Sequence, residues 1–154
     1  MSSDAPDAPV LSAALALLRK RDRFEAELRA MLLSKGHSES SLESALAWLR
    51  AKDVLNDRRA VESAVARSEG RSAKGCEALR DALVAREAPP ALIDEALAAL
   101  EPEPIRARRA LEAAPSSTRA KRTRADRYLA SRAFDGESIS SALEAMGLGS
   151  ATES

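Results

Sequence analysis

The chain has 154 residues, 24 basic and 24 acidic side chains, a single Cys and four aromatic rings, which is enough for one domain or several small modules. One Cys excludes an internal disulfide and a thiolate zinc site, and zero formal charge argues against attraction of the whole molecule to nucleic acid. Ala, Leu, Arg and Glu dominate while β-branched and aromatic residues are scarce, so helix propensity accumulates in nearly every window and the fold class expected is all-α.

Met1 to Pro9 carries Asp4 and Asp7 where a secretory signal would carry cations, and no apolar run approaches the roughly 18 residues of a membrane span. A cytoplasmic protein that meets no membrane is therefore expected. Residues 1–9 and 149–154 lack apolar periodicity and should form fraying tails. Leu11, Leu15 and Leu18 then define a first helix, followed by the cations Arg19, Lys20, Arg21 and Arg23. A second helix ends near Gly36. A third starts near Ser38, whose hydroxyl is placed to cap it, and Asn56 or Asp57 is placed to cap a fourth. Val61 and Val65 mark that helix, and Gly70 suits a helix end.

Farther along, helices ending near Glu87 and Ala133 are each followed by a short turn and another helix, starting near Pro90 and Gly136. Ile105, Ala110 and Leu111 mark the helix between these pairs. Pro89, Pro90, Pro102, Pro104 and Pro115 fall between helical patterns, at positions where a first turn tolerates the missing N–H. Arg119, Lys121, Arg122, Arg124, Arg127 and Arg132 form a basic segment opposed only by Asp126.

One pattern recurs three times. Leu28, Leu32, Lys35, Gly36, Leu42, Ala45, Leu46 and Leu49 are matched 51 residues later by Leu79, Leu83, Arg86, Glu87, Ile93, Ala96, Leu97 and Leu100. After a further 46 come Ala125, Leu129, Arg132, Ala133, Ile139, Ala142, Leu143 and Met146. Each copy is a helix, a cation, a break and a helix, and each is preceded by a further helix. The expected modules are therefore three tandem three-helix units at 10–52, 53–101 and 102–148. Each is too small to be very stable alone, so they should dock in series as an elongated, curved body suited to an extended partner. Leu46 and Leu97 are expected at equivalent core sites.

The chain offers little chemistry. His37 follows Gly36 at a turn and reads as solvated, and Cys76, near a helix start without a resolving Cys, reads as a partly buried thiol. No phosphate-cradling Gly motif occurs, and the carboxylates read as solvated or first-turn charges. No catalytic, cofactor-binding or metal-binding residue is assigned, so an enzyme is not expected.

Three stretches give this chain a resemblance to the RecX family. They are Ala16-Leu17-Leu18 through Arg21 and Glu27-Leu28-Arg29 to Lys35-Gly36; Val54-Leu55-Asn56-Asp57-Arg58-Arg59-Ala60 through Arg67 and Gly75 to Leu79-Arg80 and Leu83; and Arg124, Arg127-Tyr128-Leu129, Arg132-Ala133-Phe134 and Ile139. They span Leu11 to Met146. The resemblance implies three modules lodged in the groove of a RecA filament on single-stranded DNA, suppressing strand exchange, ATP turnover and the co-protease activity behind the SOS response. It also implies a monomer with no cofactor, meeting DNA mainly through the filament. Arg19, Arg21, Arg23, Arg58, Arg122, Arg124, Arg127 and Arg132 are the candidate partner contacts.

The alternative is a helical module that binds nucleic acid directly. This chain also departs from the family pattern. Ala60 and Ala64 replace bulkier residues and should thin the second module's core. Phe24 stands where Ser usually opens a helix, leaving Asp22 to cap it. Ala133 replaces the Gly of a left-handed cap.

Overall fold

The computed structural model describes residues 6–149, and every regular element among them is helical. In chain order these are α1 (Ala8–Lys20), α2 (Glu25–Ser34), α3 (Glu39–Ala51), α4 (Asp57–Ala66), α5 (Cys76–Ala85), α6 (Pro90–Ala98), α7 (Glu103–Ala113), the short α8 (Ser116–Arg119), α9 (Arg122–Ser131) and α10 (Gly136–Ala145). A 3-10 turn, Gly70–Ser72, lies between α4 and α5. The all-α expectation holds. Helix α1 already begins at Ala8, with Pro9 in its first turn, so the expected tail loses its last residues to the helix. Residues 1–5 of that tail, and the C-terminal tail beyond Gly149, lie outside the described residues.

Side-chain oxygens and prolines set the helix starts. Ser38 Oγ accepts the Ser41 N–H (3.3 Å) at α3, Asn56 Oδ1 accepts the Arg59 N–H (3.0 Å) at α4, and Asp135 Oδ1 accepts the Ser138 N–H (2.7 Å) at α10. Pro90 opens α6, Pro104 lies in the first turn of α7, and Pro115 precedes α8. The start of α2 corrects an expectation. Asp22 does not cap it; its carboxylate accepts from Arg59 (3.4 Å) and the Ser63 hydroxyl (3.1 Å). Glu27 Oε1 instead takes the Phe24 N–H (3.0 Å), and Asp57, distant in sequence, takes the Glu25 N–H (2.8 Å). With a ring at the cap position, Phe24 packs fully buried and α2 borrows its missing acceptor from α4.

One device ends five of the helices. The N–H groups of Gly36 and His37 turn back to the carbonyls of Leu33 and Leu32, and the same crossed pair recurs at Asp53/Val54, Glu87/Ala88, Ala133/Phe134 and Gly147/Leu148. The first residue of each pair has positive φ: 93° at Gly36, 58° at Asp53, 60° at Glu87, 61° at Ala133 and 73° at Gly147. Gly36, Glu87 and Ala133 are the repeat-equivalent breaks, so the break marks a left-handed cap whether or not Gly fills it. The repeat position of Asp53 in the second copy is Pro104, whose ring forbids positive φ, and α6 ends without the device. Gly70 also has positive φ (56°), but it opens the 3-10 turn rather than closing α4.

The chain packs as two compact units. One comprises the chain up to Ser63 together with Leu83–Leu92; the other comprises Ala64–Ala82 and the chain from Ile93 onward. In the first, Val10, Ala14 and Leu17 of α1 meet Leu28 and Leu32 of α2 and Leu42, Ala45, Leu46 and Leu49 of α3, all fully or nearly fully buried. Each Leu so enclosed contributes about 1.5–3 kcal/mol. In the second, Ala107, Ala110 and Leu111 of α7 pack with Leu129 of α9 and with Ile139, Ala142 and Leu143 of α10. The small side chains on α7 let α10 approach closely. The repeat-equivalent sites are not equally enclosed: Leu46 and Leu143 are buried, but Leu97 on α6 is only half-buried.

Gly75 serves close approach. Its N–H donates to the Arg132 carbonyl (3.0 Å), and a Cβ there would overlap the Ala133 carbonyl oxygen, so the α9–α10 turn presses directly on the start of α5.

Candidate partner-binding surface

Three arginines are consumed by the fold. Arg59 reaches the Asp53 and Val54 carbonyls (3.0 and 2.9 Å) and clamps the cap that ends α3. Arg86 donates to both Glu27 oxygens (2.8 and 3.4 Å) and to the Asp22 carbonyl (3.3 Å), while its guanidinium lies 4.7 Å from the Phe24 ring centroid. Burial alone would raise the Glu27 carboxyl, but the Arg86 and Phe24 hydrogen bonds and the charges of Arg86 and Arg21 hold it below its ordinary value. Arg106, 7% exposed, donates to the Lys74 carbonyl (2.7 Å) and the Cys76 sulfur (3.7 Å). None of the three was among the candidate contacts expected from sequence. The one available signal was the repeated cation, since Arg86 holds the position of Lys35 and Arg132.

The eight candidate contacts divide evenly between the two units. Arg19, Arg21, Arg23 and Arg58 belong to the first; Arg122, Arg124, Arg127 and Arg132 belong to the second. Arg19, Arg21 and Arg58 are exposed, whereas Arg23 folds back to the Leu17 carbonyl (3.4 Å) and the Met31 sulfur (3.6 Å). In the second unit Arg122 donates to the Gly149 carbonyl (2.7 Å), and Arg132 lies 4.9 Å from the Tyr128 ring centroid. Arg124 and Arg127 are exposed and line one open groove of about 500 Å³ with Ser117, Thr118, Tyr128 and Ser131.

Helix polarity separates the two clusters. Arg19 lies in the last turn of α1, where a cation offsets the negative end of the dipole. Arg122 and Arg124 lie in the first turn of α9, which has no acidic residue and no side-chain cap, so there the cations oppose the dipole. Helix stability does not account for them.

Other reactive groups are held by backbone. The Cys76 N–H donates to Glu103 Oε1 (2.6 Å), and burial, followed by the Glu103 carboxylate, raises the thiol pKa, the reverse of an activated nucleophile. The second Glu103 oxygen takes the Asp135 N–H (2.8 Å), tying α7 to the start of α10. The His37 N–H closes the α2 cap. Among the described residues no group of three or more His, Cys, Asp or Glu is placed to hold a metal ion, and no helix is long and apolar enough to cross a membrane.

Helix pairs closed by the same left-handed caps, with cations on the surface, define an all-helical protein. No family model matches the sequence. A regulatory protein RecX from Chlorobaculum tepidum is 32% identical over 132 residues, covering 84% of this chain and 82% of that protein. The crystal structure of RecX from Lactobacillus salivarius superimposes with a TM-score of 0.73 at 20% identity, over 92% of this chain and 96% of that one. A second crystal structure of a regulatory protein RecX gives 0.66 at 21% identity, over 91% and 72%. The chain belongs to the RecX family of regulatory proteins.

Proposed function

We propose that this chain is a non-enzymatic, cytoplasmic regulator that binds the groove of RecA filaments on single-stranded DNA and inhibits strand exchange, ATP turnover and co-protease activity. Family membership across 84% of the chain carries this reading. The cations at the start of α9 support it, because they work against their own helix and so serve something outside it. In this reading the chain acts as a monomer, with modules 10–52, 53–101 and 102–148 all engaged on the filament. Arg19, Arg21, Arg23, Arg58, Arg122, Arg124, Arg127 and Arg132 are its contacts.

The deciding measurement is ATP hydrolysis by the cognate RecA on single-stranded DNA with the chain at stoichiometric amounts. Inhibition is expected, and undiminished turnover would overturn the proposal. The basic start of α9 also favours a second reading, direct nucleic-acid binding. That binding would weaken steeply with salt on naked DNA and would need neither RecA nor nucleotide.

A further inference from the structure

We infer that the groove between α8 and α9 is a binding site for the phosphate groups of a single nucleic-acid strand. Its lining is Ser117, Thr118, Arg124, Arg127, Tyr128 and Ser131, which supplies two guanidinium groups, the Ser117 and Thr118 hydroxyls and no carboxylate; the Ser131 hydroxyl is held by the Tyr128 carbonyl (2.6 Å). Guanidinium forks match phosphate oxygens, and hydroxyls supply further donors to the same oxyanion.

Two observations converge on an anion. Among the described residues Arg124 reaches only the Ser117 carbonyl, at 3.4 Å, which leaves most of its donors open to a ligand. Finally, α9 starts beside the groove with its dipole's positive end uncapped by any side chain and reinforced by Arg122 and Arg124. A strand is favoured over a free ion by size and access. The groove holds about 500 Å³, far more than one phosphate needs, and Ser117, Arg124, Arg127 and Ser131 are all exposed along it, so a chain can pass through. Arg132 covers one face of the Tyr128 ring, which keeps that face from stacking a base and leaves the arginines to grip the backbone.

This site rests on the second reading, direct nucleic-acid binding, and not on recombinase binding, and is tested on the full chain alone. The isotope-labelled protein is titrated with pentathymidylate and, separately, with inorganic phosphate while amide resonances are followed. Pentathymidylate should shift Ser117, Thr118, Arg124, Arg127 and Ser131 saturably. Arg124→Gln with Arg127→Gln should weaken binding at least about tenfold and make the salt dependence shallower by roughly 1.4 in log–log slope. Lys35→Gln with Arg67→Gln removes the same charge elsewhere on the surface and should change affinity less than about twofold.

Equal losses in the two double variants would overturn the assignment. So would shifts confined to other surfaces, no response to pentathymidylate, or saturation by inorganic phosphate alone. Because no RecA is present, failure here leaves the filament reading standing, and failure of the ATPase test leaves this site standing.

Discussion

Glu27 does three jobs at once: it takes the Phe24 N–H, it takes both arms of Arg86, and it holds that guanidinium over the Phe24 ring. Because its pKa is lowered in the fold, the ionised form contributes stability that is fully present above the ordinary value of 4.5 and is lost as pH falls through the depressed value. Glu27→Gln should therefore cost about 1.5–3 kcal/mol near neutral pH. The gap to the parent should close as acid protonates the carboxylate, as read from urea unfolding over an acid-to-neutral series. A gap independent of pH would mean that shape, not charge, holds Arg86. None of this was legible beforehand. Phe24 was recognised as an unusual cap residue, but its substitutes come from Glu27 and Asp57, and which acceptor faces an orphan N–H is settled by neighbours far apart in sequence.

At the scale of elements, the apolar spacing and the breaks were enough to place the helix pairs, because an amphipathic stripe and a stop are local properties. Ser38 and Asn56 cap as their residue types require. The recurring break has one physical identity, the left-handed residue of a crossed carbonyl cap, and it is most strained where the side chain is not Gly. Ala133 holds φ 61° against a cost of roughly 1–2 kcal/mol for an L-residue. Ala133→Gly removes that cost and adds about 0.5–1 kcal/mol of unfolded-state entropy, so a net stabilisation of up to about 1 kcal/mol is expected in urea midpoints. A loss of stability would show that the Ala133 methyl group contributes packing that outweighs its backbone strain. Spacing was a poorer guide to enclosure. Leu97 shares the register of Leu46 and Leu143, yet α6 leaves it half-buried, because burial depends on what lies opposite the stripe and not on the stripe itself.

At the scale of the molecule, balanced net charge hides a regional asymmetry, with cations gathered at the end of α1 and over α8 and α9. Arg127 is exposed, so Arg127→Glu should change stability by no more than about 0.5 kcal/mol while weakening inhibition of RecA ATP hydrolysis. Arg132→Glu should cost about 0.5–1 kcal/mol in addition, because it loses the Tyr128 ring. Melting curves and ATPase titrations of the two variants separate contact from support, and full inhibition by Arg127→Glu would remove that side chain from the contact.

What the sequence determined by itself is the helical class, the thrice-repeated helix pair, most starts and stops, and membership of a family. All of these depend on residue type and short-range spacing. Tertiary structure alone decided which cations are spent on the fold and which line a groove. Nothing in sequence says that Arg59, Arg86 and Arg106 are spent on the fold while Arg124 and Arg127 line a groove, because a guanidinium is claimed or left available by carbonyls, carboxylates and rings that only folding brings within reach.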